Sequence, residues 1–136
     1  MSKFIILVLI SSYFFTDIIV GTNTSQSKLL WSKVSETSQL DKFLEESTPV
    51  LFFKHSYKCG LSTMVLRDFE KEWDVPVDEC KIVFIDIWKN REVSNYLSDI
   101  TGVRHHSPQV IVMRKGEIIY SETHRNIKAS EVKRVL

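Results

Sequence analysis

Two short apolar runs, "VLFFK" at residues 50–54 and "KIVFIDIW" at residues 81–88, do most to limit the folds open to this chain. Each is short and largely unbroken by polar residues, so each predicts a strand covered on both faces of a sheet. Between them Leu61, Val65, Phe69 and Trp73 recur every fourth residue, the stripe of an amphipathic helix. A helix between two doubly covered strands is a crossover, and a crossover joins strands that run parallel.

The flanking sequence extends the pattern. Leu40, Phe43 and Leu44 form one apolar face after Ser38-Gln39-Leu40-Asp41, which has the form of a capping box, and predict a helix ending before Pro49. Val93, Tyr96, Leu97 and Ile100 predict another, closed by Gly102. "QVIVM" and "EIIYSE" flank the turn Arg114-Lys115-Gly116 as a hairpin, and "KASEVKRVL" predicts a final helix. The predicted order is helix, strand, helix, strand, helix, strand, strand, helix. That order gives an α/β fold over residues 29–136, with a mixed four-stranded central sheet flanked by helices: the thioredoxin-like plan.

Residues 1–28 stand apart from this domain. Lys3 is followed by an apolar stretch from Phe4 to Phe15 and a polar spacer from Thr22 to Lys28, roughly the order of a secretory signal. Asp17 interrupts the tail of the stretch, and Ile19-Val20-Gly21 is a poor cleavage site. Phe4 to Val20 is at the short edge of a membrane span, which needs about 20 apolar residues. The segment reads as a signal or anchor, or equally as an extension that takes no part in the fold.

Chemistry concentrates at "HSYKCGLS", residues 55–62. The chain has only two cysteines, Cys59 and Cys80, which provide neither a disulfide scaffold nor paired zinc-ligand spacing, and no metal site is expected. A net charge of +1 without a Lys/Arg block gives no support to nucleic-acid binding. Cys59 falls where the first strand passes into its helix. Free N–H groups and the positive end of the helix dipole favour an anion there, and Lys54, Lys58 and His55 are near in sequence. Such surroundings favour a reactive thiolate. The alternative is a buried, inert cysteine, but Tyr57, Lys58 and Gly60 form a polar turn rather than a core stripe.

Ser62 stands where a second redox cysteine would complete Cys-x-x-Cys. A hydroxyl forms no S–S bond, so the site suits exchange on small-thiol adducts rather than release of a reduced protein dithiol. Ser62 is expected either to hydrogen-bond the thiolate or to serve simply as a first-turn serine. In "HHSPQV" the thioredoxin-like plan places Pro108 as a cis-proline facing Cys59, leaving the backbone of Ser107 free to pair with an extended ligand. A trans proline opening an edge strand is the alternative. Cys80 reads as a structural residue rather than a distant resolving thiol, and the three tryptophans read as core.

The blocks "FFKHSYKCGLSTMVL", "IDIWKNREVSN" and "VRHHSPQVIVMRKGEII" resemble the YtxJ-type monothiol bacilliredoxins of the bacillithiol redox system, over about Trp31 to Leu136. The resemblance implies a thiol–disulfide oxidoreductase that removes bacillithiol from S-bacillithiolated proteins. The family's attacking cysteine maps onto Cys59 and its cis-proline onto Pro108; with Ser62 these are the expected catalytic residues, and Lys54, His55, Lys58, Gly60 and Ser107 are the expected substrate-binding residues. It further implies bacillithiol as co-substrate with no tightly bound cofactor, S-thiolated proteins as partners, a monomer, and a cytoplasmic location. Bacillithiol carries carboxylates on its malate portion; Lys54, Lys58, Arg104, His105 and His106 would offer a cationic rim, or are equally well a solvated surface. The N-terminal segment departs from the pattern, and export or membrane anchoring through residues 1–20 is the alternative location. "CGLS" also resembles the "CGFS" signature of monothiol glutaredoxins that carry a 2Fe–2S cluster, although their Gly-Gly-x-Asp element is absent from "KGEIIYSETHRN". A third possibility is a redox-inactive module that uses the proline groove for partners.

Overall fold

In the computed structural model, which describes residues 29–136, the chain runs β1 (Ser32–Lys33), α1 (Thr37–Leu44), β2 (Val50–His55), α2 (Gly60–Glu72), β3 (Lys81–Asp86), α3 (Arg91–Thr101), β4 (Gln109–Arg114), β5 (Glu117–Thr123), a 3-10 turn (His124–Asn126) and α4 (Ala129–Lys133). The signal or anchor expected in residues 1–28 lies outside the described residues. The strands form one sheet in the order β1-β3-β2-β4-β5. Strands β1, β3 and β2 are parallel; β4 runs antiparallel to β2, and β5 antiparallel to β4.

The sheet has five strands, not the expected four. The extra one, β1, is two exposed polar residues, Ser32 and Lys33, paired with Val83 and Phe84 on the edge of β3. A strand that buries no side chain leaves no hydrophobic pattern to read. The capping box also differs. The N-cap of α1 is Glu36, and its reciprocal partner is Gln39, so Ser38 lies inside the helix rather than ahead of it. The Gln39 Oε1 atom accepts the N–H groups of Ser35 at 2.8 Å and Glu36 at 3.2 Å.

Strand β2 is paired on both edges and every residue in it is buried. Its side chains alternate between two cores. Leu51 and Phe53 pack with Val65, Phe69 and Trp73 of α2 and with Ala129 and Val132 of α4. Val50 and Phe52 pack with Leu40 of α1 and with Val93 and Leu97 of α3. Gly102 closes α3 in the left-handed conformation (φ 67°), which a residue without Cβ adopts at no steric cost.

The registers bring four chain segments to one edge of the sheet. His55 pairs with Asp86, Lys54 with Gln109, and Gln109 with Thr123. The ends of β2, β3 and β5 and the start of β4 therefore lie together, and every candidate site residue is on this edge.

Candidate functional site

Cys59 is the N-cap of α2, with extended backbone angles and a half-buried side chain. Its N–H donates to the Ser56 carbonyl at 3.2 Å, and its carbonyl accepts the Thr63 N–H at 3.1 Å. That Thr63 bond is the first of the helix, so the N–H groups of Gly60, Leu61 and Ser62 form the orphan first turn beside the sulfur. Among the described residues no side-chain cap bond is made to them. A Cβ built at Gly60 would meet nothing within 4 Å, so Gly60 faces open space next to Cys59.

Ser62 is fully buried one turn into the helix. Its Oγ accepts the Ser56 N–H at 3.1 Å and lies 2.8 Å from Nδ1 of His55. Among the described residues it makes no hydrogen bond to the Cys59 sulfur; instead it fastens the end of β2 to the start of α2. His55 is 1% exposed, with the Tyr57 ring edge-on at 4.5 Å and Phe84 at 5.5 Å. Burial holds the His55 imidazole below the usual histidine pKa, a pull only partly offset by Asp86, Glu70 and the Ser62 bond.

Lys54 and His55, expected at the substrate rim, are both removed from it. Successive strand residues point to opposite faces. His55 turns towards α2, whereas Lys54 turns towards α3 and is completely buried. The Lys54 Nζ donates to the Ser94 carbonyl and to Ser98 Oγ, both at 2.7 Å, and lies 3.4 Å from His105 Nδ1. Burial lowers the Lys54 pKa to about 8, with Asp99 opposing the shift.

The Ser107–Pro108 peptide is cis. The loop before it is clamped by buried Gln109, whose Nε2 donates to the Arg104 carbonyl at 2.8 Å and whose Oε1 accepts the His106 N–H at 3.4 Å. From the other side the His124 N–H donates to the Pro108 carbonyl at 3.0 Å. Among the described residues the buried Ser107 Oγ has no hydrogen-bond partner. Of the expected rim residues, Arg104 and His105 are exposed and His106 is half-buried, 5.4 Å ring to ring from His124. Although His105 is exposed overall, partial desolvation of its ring first, then the positive charge of Lys54, keeps its pKa below the ordinary value.

Trp88 belongs to this edge too, although the tryptophans read as core. It is 49% exposed. Asp86 Oδ1 accepts the N–H groups of Trp88 at 2.9 Å and Lys89 at 3.2 Å, which shapes the turn after β3. The indole N–H donates to Ser56 Oγ at 2.9 Å, tying this turn to the Cys59 loop. Lys58 Nζ sits 3.9 Å from the centre of the Trp88 ring, and Arg91 Cζ 5.7 Å away. The signal was present in "WKN": the tryptophan lies two residues past the end of β3 and opens a polar turn.

Cys80 is buried at the other end of the sheet. It precedes Lys81, which pairs with Val50, whereas Cys59 follows the end where His55 pairs with Asp86. Strand rise separates the two by roughly 15 Å or more, beyond the ~7 Å Cα limit for a disulfide. Burial also pushes the Cys80 thiol up to about 12. It cannot resolve an adduct on Cys59.

Residues 32–132 match the family model described as "Monothiol bacilliredoxin BrxC". A solved thioredoxin-fold protein proposed to be an oxidoreductase is similar at 27% identity with a TM-score of 0.65, covering 76% of this chain and 90% of that one. The thioredoxin of Malassezia sympodialis (Mala s 13) is similar at 18% identity and TM-score 0.60, covering 76% and 85% of the two chains. That of Trypanosoma brucei brucei is similar at 16% and 0.59, with the same coverage. The two thioredoxins bear on the fold alone. Described residues 29–136 thus have a thioredoxin fold of α/β class with a five-stranded mixed sheet.

Proposed function

This chain belongs to the monothiol bacilliredoxin family, a family of thiol–disulfide redox proteins, and on that premise we propose that Cys59 removes bacillithiol from S-bacillithiolated proteins. The observation that carries the proposal is one accessible sulfur at the head of α2 with no second within reach: Ser62 occupies the resolving position and Cys80 lies at the far end of the sheet.

In the first step the Cys59 thiolate attacks the bacillithiol sulfur of the mixed disulfide. A new S–S bond joins Cys59 to bacillithiol, the old one breaks, and the protein sulfur leaves as a thiolate that takes a proton from solvent. In the second step the thiolate of another low-molecular-weight thiol attacks the bacillithiol sulfur on Cys59. Cys59 leaves as a thiolate, and a small disulfide carries away the two oxidising equivalents. Each step exchanges one disulfide for another, so no resident cofactor is needed.

The residues around Cys59 have defined parts in this scheme. The orphan N–H groups of the first turn of α2 stabilise negative charge on the attacking and departing Cys59 sulfur. The Ser107 backbone beside Pro108 offers the extended partner a strand-like edge, and open space over Gly60 lets a protein-sized substrate approach. Ser62 holds the helix start in place through Ser56 and His55. A cytoplasmic monomer is the proposed working form, bacillithiol being a cytoplasmic thiol.

The test is incubation of the full chain with a bacillithiolated protein, followed by mass spectrometry. Cys59 should gain the mass of bacillithiol while the substrate loses it, and Cys59→Ser should abolish the transfer. Intact substrate with an unmodified Cys59 would defeat the proposal.

A further inference from the structure

A cleft of about 210 Å³ is lined by Ile87, Trp88, Arg91, Ser94, Asn95 and His105, and its Trp88 is hydrogen-bonded to Ser56 of the Cys59 loop. The exchange chemistry makes no use of the cleft. Its charge pattern is one-sided, because no carboxylate lines it. Asp86, which precedes Ile87, spends Oδ1 on the Trp88 and Lys89 N–H groups. Glu92 and Asp99 line a neighbouring hollow on the Thr37 side of α3, which shares Arg91 and Asn95 with the cleft.

Arg67, Lys81, Lys133 and Arg134 each have a carboxylate within ion-pair distance. Among the described residues Lys58 and Arg91 have none, and both lie against the Trp88 ring. A cation over an indole is held in place while its remaining donors stay open to an anion. Behind the cleft, Lys54 stands 3.4 Å from His105 Nδ1 and adds a buried positive charge that solvent screens poorly.

The geometry points to this cleft as the subsite that takes the carboxylate end of the small thiol exchanged at Cys59, with Arg91 as its principal anchor and Trp88 as its wall. The assignment rests on the exchange proposed for Cys59 and names the chemical class that Cys59 would carry: a low-molecular-weight thiol with carboxylates remote from its sulfur. Two connections join the subsite to the reacting sulfur. Lys58 immediately precedes Cys59 in the chain, and the Trp88 indole is bonded to Ser56 of the same loop. The guanidinium fork of Arg91 suits a carboxylate better than an ammonium does. The limited volume suits a compact dicarboxylate rather than a protein segment.

Binding can be measured without exchange. Full-length Cys59→Ser protein would be titrated with S-methyl bacillithiol, a thioether that cannot form a disulfide, using calorimetry and tryptophan fluorescence. Saturable binding should weaken about tenfold or more when Arg91→Gln is added and by less with Arg91→Lys, and salt should weaken it in the parent more than in Arg91→Gln. Absence of saturable binding in the parent, or a Kd within twofold in Arg91→Gln protein of unaltered circular dichroism, would overturn the subsite. Failure of the exchange itself reads out separately. Arg91-dependent binding with no adduct on wild-type Cys59 would keep the subsite and remove the exchange, whereas an adduct with Arg91-independent binding would do the reverse.

Discussion

Lys54 and His55 are neighbours in the chain and occupy opposite sides of the sheet, and each is a titratable group taken out of water. For Lys54 this has a definite pH signature. Its pKa is about 8 in the fold against 10.5 in the unfolded chain. Below about pH 8 both states carry the proton and the full cost of burying the charge is present. Between about 8 and 10.5 the folded side chain is neutral while the unfolded one is still charged, so that cost is relieved as pH rises. Denaturant titrations at pH 7 and pH 9.5 should therefore show the stability of wild type, measured relative to Lys54→Met, rising at the higher pH; a constant difference would rule out a charged, buried Lys54. Ser107 makes a different prediction. Its hydroxyl is buried without a partner among the described residues, and such a group costs about 1–3 kcal/mol. Ser107→Ala should leave the free protein as stable or up to about 1 kcal/mol more so, and a drop in melting temperature would reveal a partner for the hydroxyl. The sequence displayed all these residue types, yet it displayed charge without direction. Lys54, Lys58 and Arg104 looked like one basic group. Strand alternation sends the first into the interior, and an aromatic ring holds the second.

At the scale of elements, the legible parts were those with a long apolar rhythm. Helix α2 was visible in Leu61, Val65, Phe69 and Trp73, and β2 and β3 in their unbroken apolar runs. Strand β1 was not, because two exposed residues have no rhythm. The N-terminus of α1 slipped by two residues because Ser38 mimics a cap, whereas Gln39 reaches back to Glu36. Gln109 was hidden for a similar reason: it heads the apolar run of β4, and only tertiary structure shows its amide gripping the Arg104–His106 loop. Gln109→Ala should cost about 1–3 kcal/mol by leaving the Arg104 carbonyl and His106 N–H without their partner, and should slow adduct formation on Cys59 by loosening the Pro108 loop. A thermal melt and a time course read by mass spectrometry check the two effects; a variant that melts as wild type would mean the clamp carries no weight. Cys80 lies in the core at the other end of β3. Cys80→Ala should lower stability by about 1 kcal/mol while adduct formation at Cys59 and its reversal by added thiol keep wild-type rates. Slowed reversal alone would assign Cys80 a resolving role that its position denies.

Over the whole molecule the sheet has one edge built for chemistry and one built for packing. The chemical edge holds Cys59, Trp88, the cis-proline loop and His124, drawn from four segments that only the β1-β3-β2-β4-β5 order makes neighbours. That edge also governs the response to acid. His55 is held below the ordinary histidine pKa by burial, and His105 by partial desolvation of its ring and the nearby charge of Lys54. Below about pH 6.5 the unfolded chain takes up protons on these rings that the folded chain resists. Their contribution to stability therefore falls as pH drops from 6.5 through their folded pKa values. A His55→Phe, His105→Phe double variant should lose less stability than wild type between pH 7 and pH 5; equal losses would show the two rings to be irrelevant to acid sensitivity. One consequence of the missing second sulfur reaches past catalysis. A dithiol site has a second thiol that can displace the adduct and form an internal disulfide. On the proposed exchange Cys59 has no such second thiol, so loading and unloading are the same reaction run in opposite senses. At rest, the fraction of the chain carrying a small thiol equals what the surrounding ratio of disulfide to thiol dictates. The protein is then a gauge of that ratio as much as a catalyst for it.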